Sequence, residues 1–191
     1  MNIMGKKVIL RAVEMSDAGL LKELQNSPRI EALCGSWSFP VSTQDQEGWI
    51  NRLSNTHQTE IRLMIETISE QKTIGTVYLK DIDWKNRNAF VGIKTIDGST
   101  RGRGFGFDAL MALFRFAFKE LGLHKLETLV IKDHPVSLDL CSNLGIEVEG
   151  IRRECSFSNG EYTDKFHMGI LDREYFDCVK RTNYWEEEGD H

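Results

Sequence analysis

The chain has 191 residues, of which 40% are hydrophobic and 28% are charged, and it contains three prolines. This length and composition are typical of one packed globular domain, and they exclude a disordered, collagen-like or membrane-spanning chain. Its 24 basic and 29 acidic residues give a formal net charge of −5. The chain as a whole therefore lacks the positive field that nonspecific nucleic-acid binding needs, and we expect neither a nucleic-acid nor a membrane partner.

The N-terminal residues do not have the pattern of a secretory signal. Arg11 interrupts the apolar stretch that follows Lys6 and Lys7, and no small-residue cleavage site comes after it. The four cysteines include no C-x-x-C pair, which argues against a zinc site or a disulfide framework. We therefore expect a cytoplasmic protein with reduced thiols and no metal.

The first half of the chain predicts a strand, two helices and a three-stranded meander. Residues 6–13 have strand character, and a helix begins at Ser16 and is stopped by Pro28. Thr43 and Gln46 have capping-box spacing and predict the start of a second helix. From Ile61, three β-branched and aromatic runs are separated by hairpin-like connections, which indicates three antiparallel strands.

The second half predicts one long helix, then a strand, a short helix and a closing hairpin. The long helix has an apolar face and ends at Gly122, and Pro135 opens the short helix that Gly145 follows. Two final strands flank the turn 158–160. This order predicts an α+β domain of the α/β/α type, with a mostly antiparallel central sheet flanked by helices. We place the domain at residues 1–171, with a partly helical tail at 172–191.

Four of the sixteen glycines, at 98, 102, 104 and 106, fall within nine residues just before the long helix. Glycines at alternate positions let a loop point successive backbone N–H groups into one concavity, and the helix adds its own unpaired donors and its dipole. Such a loop binds phosphate, and Arg101 and Arg103 would add charge. The alternative is a plain strand-to-helix turn. The dinucleotide fingerprint is absent because the third glycine is missing, and so is the Gly-Lys-Ser/Thr ending of a triphosphate loop.

Arg101, Gly104 and Gly106 fill the pattern Gln/Arg-x-x-Gly-x-Gly/Ala, and the segment resembles the pyrophosphate loop of the GNAT superfamily of acetyl-CoA-dependent N-acetyltransferases. The preceding VGIKTIDGSTRGRGFG resembles the fourth strand of that family, and LDLCSNLGIEVEG resembles a later helix and strand. The C-terminal strands, with Asn159-Gly160-Glu161-Tyr162, are similar to the branch that contains ribosomal-protein N-terminal and polyamine acetyltransferases. The resemblance covers residues 6–171.

The resemblance implies acetyl-CoA as co-substrate and direct attack of a neutral amine on its thioester, with a backbone N–H polarising the oxyanion. It also implies which residues bind the co-substrate. Backbone groups of the fourth strand would contact pantetheine, and the loop would hold the pyrophosphate. The implied residues are Ile93, Lys94 and Thr95 on the strand, and Arg101, Gly102, Arg103, Gly104, Phe105, Gly106 and Phe107 in and after the loop.

Two positions depart from the family. His134 stands where the family has an asparagine that contacts pantetheine, and Cys141 stands where it has a tyrosine general acid. A cysteine has the basicity to protonate a thiolate, but it is also a common buried apolar residue, and solvent can protonate the leaving group instead. His134 is a pantetheine contact, a base or a surface residue before Pro135.

The general base is left open among Glu66, Asp81, Asp83 and His167. Three aromatic residues, Trp37, Phe39 and Trp49, lie where the family binds its acceptors, but aromatic residues in amphipathic helices more often belong to the core. The acidic run at Glu186–Glu188 is interpreted as a solvated tail, with attraction of a cationic acceptor as the alternative.

These observations together predict an acetyl-CoA-dependent N-acetyltransferase whose acceptor is a primary amine, with a protein N-terminus favoured. A polyamine, amino sugar or aminoglycoside is the alternative acceptor. A second class of function, a non-catalytic acyl-CoA sensor, stays open because Cys141 replaces the tyrosine. The oligomeric state is also open, with a homodimer as one option.

Overall fold

The computed structural model describes residues 2–34, 39–53, 59–96 and 102–185. Within these ranges eight strands form one sheet in the order β1-β2-β3-β4-β5-β6-β8-β7, and all neighbours are antiparallel except β5 and β6. The strands are β1 Ile3–Met4, β2 Val8–Ala12, β3 Glu60–Thr67, β4 Thr73–Asp83, β5 Asn88–Thr95, β6 Lys125–Ile131, β7 Glu147–Ser158 and β8 Glu161–Leu171. The predicted α+β domain with a mostly antiparallel sheet is confirmed.

Helices cover both faces of the sheet. The helices are α1 Ala18–Asn26, α2 Pro28–Cys34, α3 Thr43–Arg52, α4 Phe105–Arg115, α5 Pro135–Asn143 and α6 Asp172–Thr182. Side chains of α4, α5 and α6 belong to the main core, whereas α1 and α3 pack around Met64 of β3 in a second, smaller cluster. None of the helices in the described ranges has the length and apolar character needed to cross a lipid bilayer.

The structure adds to one detail of the predicted N-terminal helices and corrects another. Pro28 stops α1 as predicted, because the residue before a proline is disfavoured in a helical conformation and Ser27 is extended, with a ψ of 110°, but Pro28 is also the first residue of α2. A proline fits there because the first N–H of a helix has no intrahelical partner. The capping box of α3 lies one residue earlier than predicted, where Ser42 Oγ accepts a hydrogen bond from Asp45 N at 3.1 Å.

Helix α4 is the central helix of the domain. Residues 109–114 are buried on all sides, which is more than an amphipathic helix would bury. Phe116–Glu120 continue α4 as a π-helical turn, and Gly122 follows with a φ of +65°, the left-handed conformation that a glycine adopts without strain at a helix end. Because α4 is fixed by the core along its whole length, its N-terminus is a rigid platform.

The C-terminal elements are a long hairpin and a helix that returns to the core. Asn159 and Gly160 both have positive φ between β7 and β8, as the predicted tight turn requires. In α6, Tyr175 is fully buried and donates a hydrogen bond to the carbonyl of Met111 in α4 at 3.0 Å. Glu186–Glu188 lie outside the described residues.

Candidate active site

The sheet opens between β5 and β6. On one side β5 pairs with β4 as far as Thr95, but on the other side it pairs with β6 at three positions only, from Asn88 to Phe90. Beyond Phe90 the two parallel strands separate and leave a cleft of about 680 Å³. The cleft is lined by both strands, by the N-terminal ends of α4 and α5, and by side chains of α1 and α2.

The glycine loop forms the end of this cleft next to α4. Gly102 and Gly104 have φ values of +77° and +80°, and Gly104 is the N-cap of α4. Gly106 faces Ile93 of β5, where an added Cβ would lie 3.6 Å from Ile93 Cδ1. The unpaired N–H groups of the first turn and the positive end of the helix dipole make this place suited to an anion. Five predicted residues line the cleft here: Gly102, Gly104, Phe105, Gly106 and Phe107.

The two arginines of the loop do not both contribute as predicted. Arg101 and Gly98 lie outside the described residues. Arg103 pairs with Glu70 at 2.8 Å and its guanidinium lies 4.7 Å from the centre of the Phe105 ring. It thereby lines a separate depression of about 350 Å³, and the structure does not bring its side chain into the cleft. Its carbonyl accepts a hydrogen bond from Lys7 Nζ at 2.9 Å, which holds the loop against β2.

The predicted pantetheine strand lies at the open edge of β5. Ile93, Lys94 and Thr95 all line the cleft beyond the last β5–β6 pair. Backbone N–H and C=O groups at such an edge have no strand partner and can bind an extended ligand as an added strand would. Ile93 points to α4, so the alternation of side chains along a strand places Lys94 on the opposite face.

His134 is the N-cap of α5 and also lines the cleft. Its Nδ1 accepts a hydrogen bond from the backbone N–H of Ser137 at 3.2 Å and lies 2.6 Å from Ser137 Oγ. An accepting Nδ1 carries no proton, so the cap selects the tautomer with the proton on Nε2. This role leaves Nδ1 unable to act as a base while the cap is intact.

Cys141 lies about two helical turns further along α5, where it contributes to the cleft lining with 7% of its surface exposed. Burial raises the pKa of its thiol to about 11. An ordinary thiol has a pKa near 8.5, so transfer of a proton from the Cys141 thiol to such a thiolate would be energetically unfavourable. The geometry therefore favours the interpretation of Cys141 as a packed core residue.

None of the four candidate bases lines the cleft. Glu66 pairs with Arg11 at 2.8 Å, Asp81 is an exposed residue with positive φ, and Asp83 caps the β4–β5 turn by accepting from Lys85 and Asn86. Those hydrogen bonds from the Asn86 and Lys85 backbone and the Asn86 side chain lower the pKa of Asp83. The His167 ring stacks on Phe90, which does line the cleft, and its Nε2 lies 3.1 Å from Glu127.

Tyr78 is a cleft residue that the sequence analysis missed. It lies opposite Gly92 of β5 in the register, and a Cβ at Gly92 would overlap its ring. Burial raises the pKa of its hydroxyl, so Tyr78 is a hydrogen-bond donor at neutral pH. The Arg62 guanidinium lies over this ring at 4.5 Å and over the Trp49 ring at 5.3 Å. The sequence could have indicated this role only through the pairing of Tyr78 with Gly92, and that pairing is recognisable only when the β4–β5 register is known.

The other aromatic candidates lie away from the cleft. Trp49 packs against the second core cluster, Phe39 is 68% exposed, and Trp37 lies outside the described residues. The cleft wall on the face opposite α4 is instead formed by basic side chains around Tyr78. These are Arg62, Lys80, Lys94 and Lys165.

A free strand edge beside a helix N-terminus suits an extended ligand that carries a phosphate group, and comparison with known proteins identifies the class of enzyme. The family model described as an acetyltransferase (GNAT) domain matches residues 7–147. An uncharacterized, prophage-derived N-acetyltransferase of Bacillus subtilis (strain 168) is 28% identical over 171 residues, which cover 90% of this chain and 93% of that protein. A spermidine N(1)-acetyltransferase of Vibrio cholerae is 29% identical over 175 residues, covering 90% and 97%.

A solved structure shows the same fold. The crystal structure of spermidine N-acetyltransferase from Vibrio cholerae, in complex with CoA and spermine, superposes with a TM-score of 0.81 at 28% identity, covering 89% of this chain and 98% of that one. The chain belongs to the GNAT acetyltransferase family. It is an N-acetyltransferase with acetyl-CoA as co-substrate, as the sequence predicts.

Proposed function

We propose that this enzyme acetylates the α-amine of a peptide or protein N-terminus. The observation that carries the proposal is the absence of a carboxylate in the cleft: no aspartate or glutamate of the described ranges lines it. An α-amine has a pKa of about 7.7–8.0, so about half of it is neutral near pH 8, whereas an alkylamine with a pKa of about 10.4 is more than about 99% protonated. A site without a positioned carboxylate base suits the less basic amine.

The donor would lie along the open edge of β5, with its pyrophosphate at the loop before α4. Gly104 supports this placement because its left-handed backbone turns the loop and its neighbours expose N–H groups at the helix start. The open edge of β5 offers Ile93, Lys94 and Thr95 to the amide groups of pantetheine. His134 is proposed as a further contact at the start of α5.

The donor supplies a thioester whose C–S bond is exchanged for a C–N bond to the amine. The protein contributes to this exchange by positioning the two reactants and by polarising the thioester. A backbone N–H of β5 would polarise the thioester oxygen, and Tyr78 would add a hydroxyl donor on the opposite face. The amine gives up its proton to solvent, and solvent protonates the departing thiolate, so no enzyme intermediate is formed.

A polyamine is the second candidate acceptor. The names of the relatives favour it, since they include spermidine acetyltransferases from Vibrio cholerae and Escherichia coli. A triamine would enter a cleft whose described charged lining is basic, and this opposes it.

Ligand-dependent unfolding tests the donor, and thiol release then tests the acceptor. Acetyl-CoA and CoA should raise Tm while ATP and NAD leave it unchanged, because a ligand that binds only the native state stabilises it by mass action. CoA thiol release with a short peptide bearing a free N-terminus should exceed release with the same peptide blocked by formylation, and with spermidine. Stabilisation by ATP or NAD alone would refute the donor assignment, and faster turnover of spermidine would refute the N-terminal acceptor.

The Cys141→Ala variant should keep its turnover within about twofold of wild type, because a thiol with a pKa of about 11 stays protonated and is a poor acid. Loss of the buried sulfur should lower the free energy of unfolding by about 1 kcal/mol. Turnover at saturating substrates and urea denaturation measure the two effects. A tenfold loss of turnover in a variant that still binds acetyl-CoA would instead identify Cys141 as the proton donor.

A further inference from the structure

The wall of the cleft on the side of β5 away from α4 is its acceptor wall, which we define by Arg62, Tyr78, Lys80, Lys94 and Lys165. Register places these residues on one face of the sheet. Tyr78 lies opposite Gly92, and Lys94 follows two residues after Gly92 on β5. Lys165 of β8 pairs with Ile131 at the end of β6. Helices α1 and α2 close this face, because Gln25, Ile30 and Cys34 also line the cleft.

The acceptor wall is positively charged. Glu60 pairs with Arg62 at 2.8 Å and offsets that guanidinium, but it does not line the cleft. Within the described ranges, Lys80 and Lys94 have no carboxylate within 4.0 Å.

Lys94 and Lys165 line the cleft together with Cys34, the last residue of α2. Lys165 is 9% exposed and its Nζ donates to the carbonyl of Cys34 at 3.4 Å. Burial raises the pKa of the Cys34 thiol, and the charges of Lys94 and Lys165 both act to lower it, against Glu31 on the same helix. Both ammonium groups therefore lie close enough to Cys34 for their fields to reach its thiol.

Keeping ammonium groups in a half-enclosed cleft costs solvation free energy, and an anion that enters the cleft recovers part of it. A polycation would have the opposite effect, because each of its charges would be repelled by the wall. The same positive field favours the neutral form of an incoming amine, since a nearby like charge lowers its pKa. The positive charge of the wall therefore both disfavours a polycationic acceptor and increases the neutral, reactive fraction of the acceptor amine.

We infer that the acceptor carries a negatively charged group close to its amine, which Lys94 and Lys165 hold below α2. This inference rests on the proposed N-acetyltransfer and adds the chemical class of the acceptor. An acidic residue at the start of a peptide and the carboxylate of a free amino acid share this chemistry. The acceptor amine then lies toward the open β5–β6 edge, with Tyr78 beside it.

The test compares acceptors that differ by one charge. Thiol release is measured with a peptide that begins Ser-Asp against one that begins Ser-Asn, with free serine against serine amide, and with spermidine. The acidic member of at least one pair should have a kcat/KM about tenfold higher than its neutral partner. Whichever pair shows the difference identifies the source, peptide or amino acid. Equal rates within both pairs, or a higher kcat/KM for spermidine, would overturn the inference.

The Lys94→Gln variant tests the wall itself, with Lys180→Gln as a matched control on α6, where Lys180 is 80% exposed. Lys94→Gln should abolish most of the preference for the acidic acceptor, so that the kcat/KM of the acidic acceptor falls to about that of its neutral partner. Lys165→Met provides a second variant at the buried position. An unchanged preference in both Lys94→Gln and Lys165→Met would overturn the inference.

Measuring donor binding separately from acceptor preference distinguishes failure of this inference from failure of the proposed function. Unfolding in the presence of acetyl-CoA is measured for every variant, since the donor is itself an anion. If acetyl-CoA stabilises the enzyme and only uncharged or cationic amines are acetylated, the inference fails and N-acetyltransfer stands. If no member of the panel is acetylated, the N-terminal acceptor and the inference fail together.

Discussion

Replacing Gly104 by valine should weaken acetyl-CoA binding by at least about 100-fold, because hydrogen bonds to a charged phosphate contribute about 1.5–3 kcal/mol each and the loop would lose more than one. Gly104 has a φ of +80°, and an added Cβ would lie 3.1 Å from Lys7 Nζ, the group that holds the neighbouring carbonyl. A β-branched residue at this φ is a severe outlier. The loop would have to move, and its N–H groups with it.

The expected change is measured as the rise in Tm with increasing acetyl-CoA, which should disappear in Gly104→Val. The matched control is Gly160→Val in the β7–β8 turn, where φ is +84° and an added Cβ meets nothing within 4 Å. Both variants carry a similar backbone strain of about 1–2 kcal/mol, so only the first should lose the ligand response. An undiminished response in Gly104→Val would show that the donor binds elsewhere.

Replacing Asp108 by asparagine should destabilise the fold by about 3 kcal/mol or more. The Asp108 carboxylate is fully buried and accepts hydrogen bonds from the backbone N–H groups of Lys6, Lys7 and Val8 at 2.8, 2.6 and 2.9 Å, and from the Tyr184 hydroxyl. An amide replaces one acceptor oxygen by a donor that faces other donors. Each buried group left unsatisfied costs about 1–3 kcal/mol.

Urea unfolding of Asp108→Asn and of Asp177→Asn measures the difference, since Asp177 is 76% exposed on α6 and should change stability by less than about 0.5 kcal/mol. A shift of Asp108→Asn as small as that of the control would contradict the role of the buried carboxylate. Tyr184→Phe removes one donor and keeps the three backbone contacts, so its effect should be smaller than that of Asp108→Asn. Burial and the hydrogen bond to Asp108 raise the pKa of Tyr184, which keeps its hydroxyl a donor in this test.

The sequence predicted the elements wherever a local signal decides the structure. The apolar run of α4, Gly122 after it and the Asn159-Gly160 turn all act through nearby residues, and each is found where the pattern placed it. The same holds for the glycine loop, since positive φ at Gly102 and Gly104 is a property of those residues themselves. Helix α2 was missed because a proline that ends one helix can also begin the next.

Side-chain directions in the site depend on residues far away in sequence and could not be predicted. Arg103 turns from the cleft because Glu70, 33 positions earlier, lies at the tip of the β3–β4 connection. Tyr78 enters the cleft because the β4–β5 register sets it opposite Gly92. In the sequence Asp108 looks like an ordinary polar residue of a helix. It becomes a buried hydrogen-bond acceptor only because the start of β2 and the residue before it pack against α4.

The three-residue pairing between β5 and β6 also has a mechanical consequence. Strands β1 to β5 and strands β6, β8 and β7 form two half-sheets, and Asn88–Phe90 with Lys125–Glu127 are the only ladder that joins them in the described ranges. A ligand that binds along the free edge of β5 and also contacts β6 would extend this short connection between the two half-sheets. Amide exchange in this three-residue ladder should therefore slow when the donor is bound, because the bound substrate itself adds to the rigidity of the sheet that holds it.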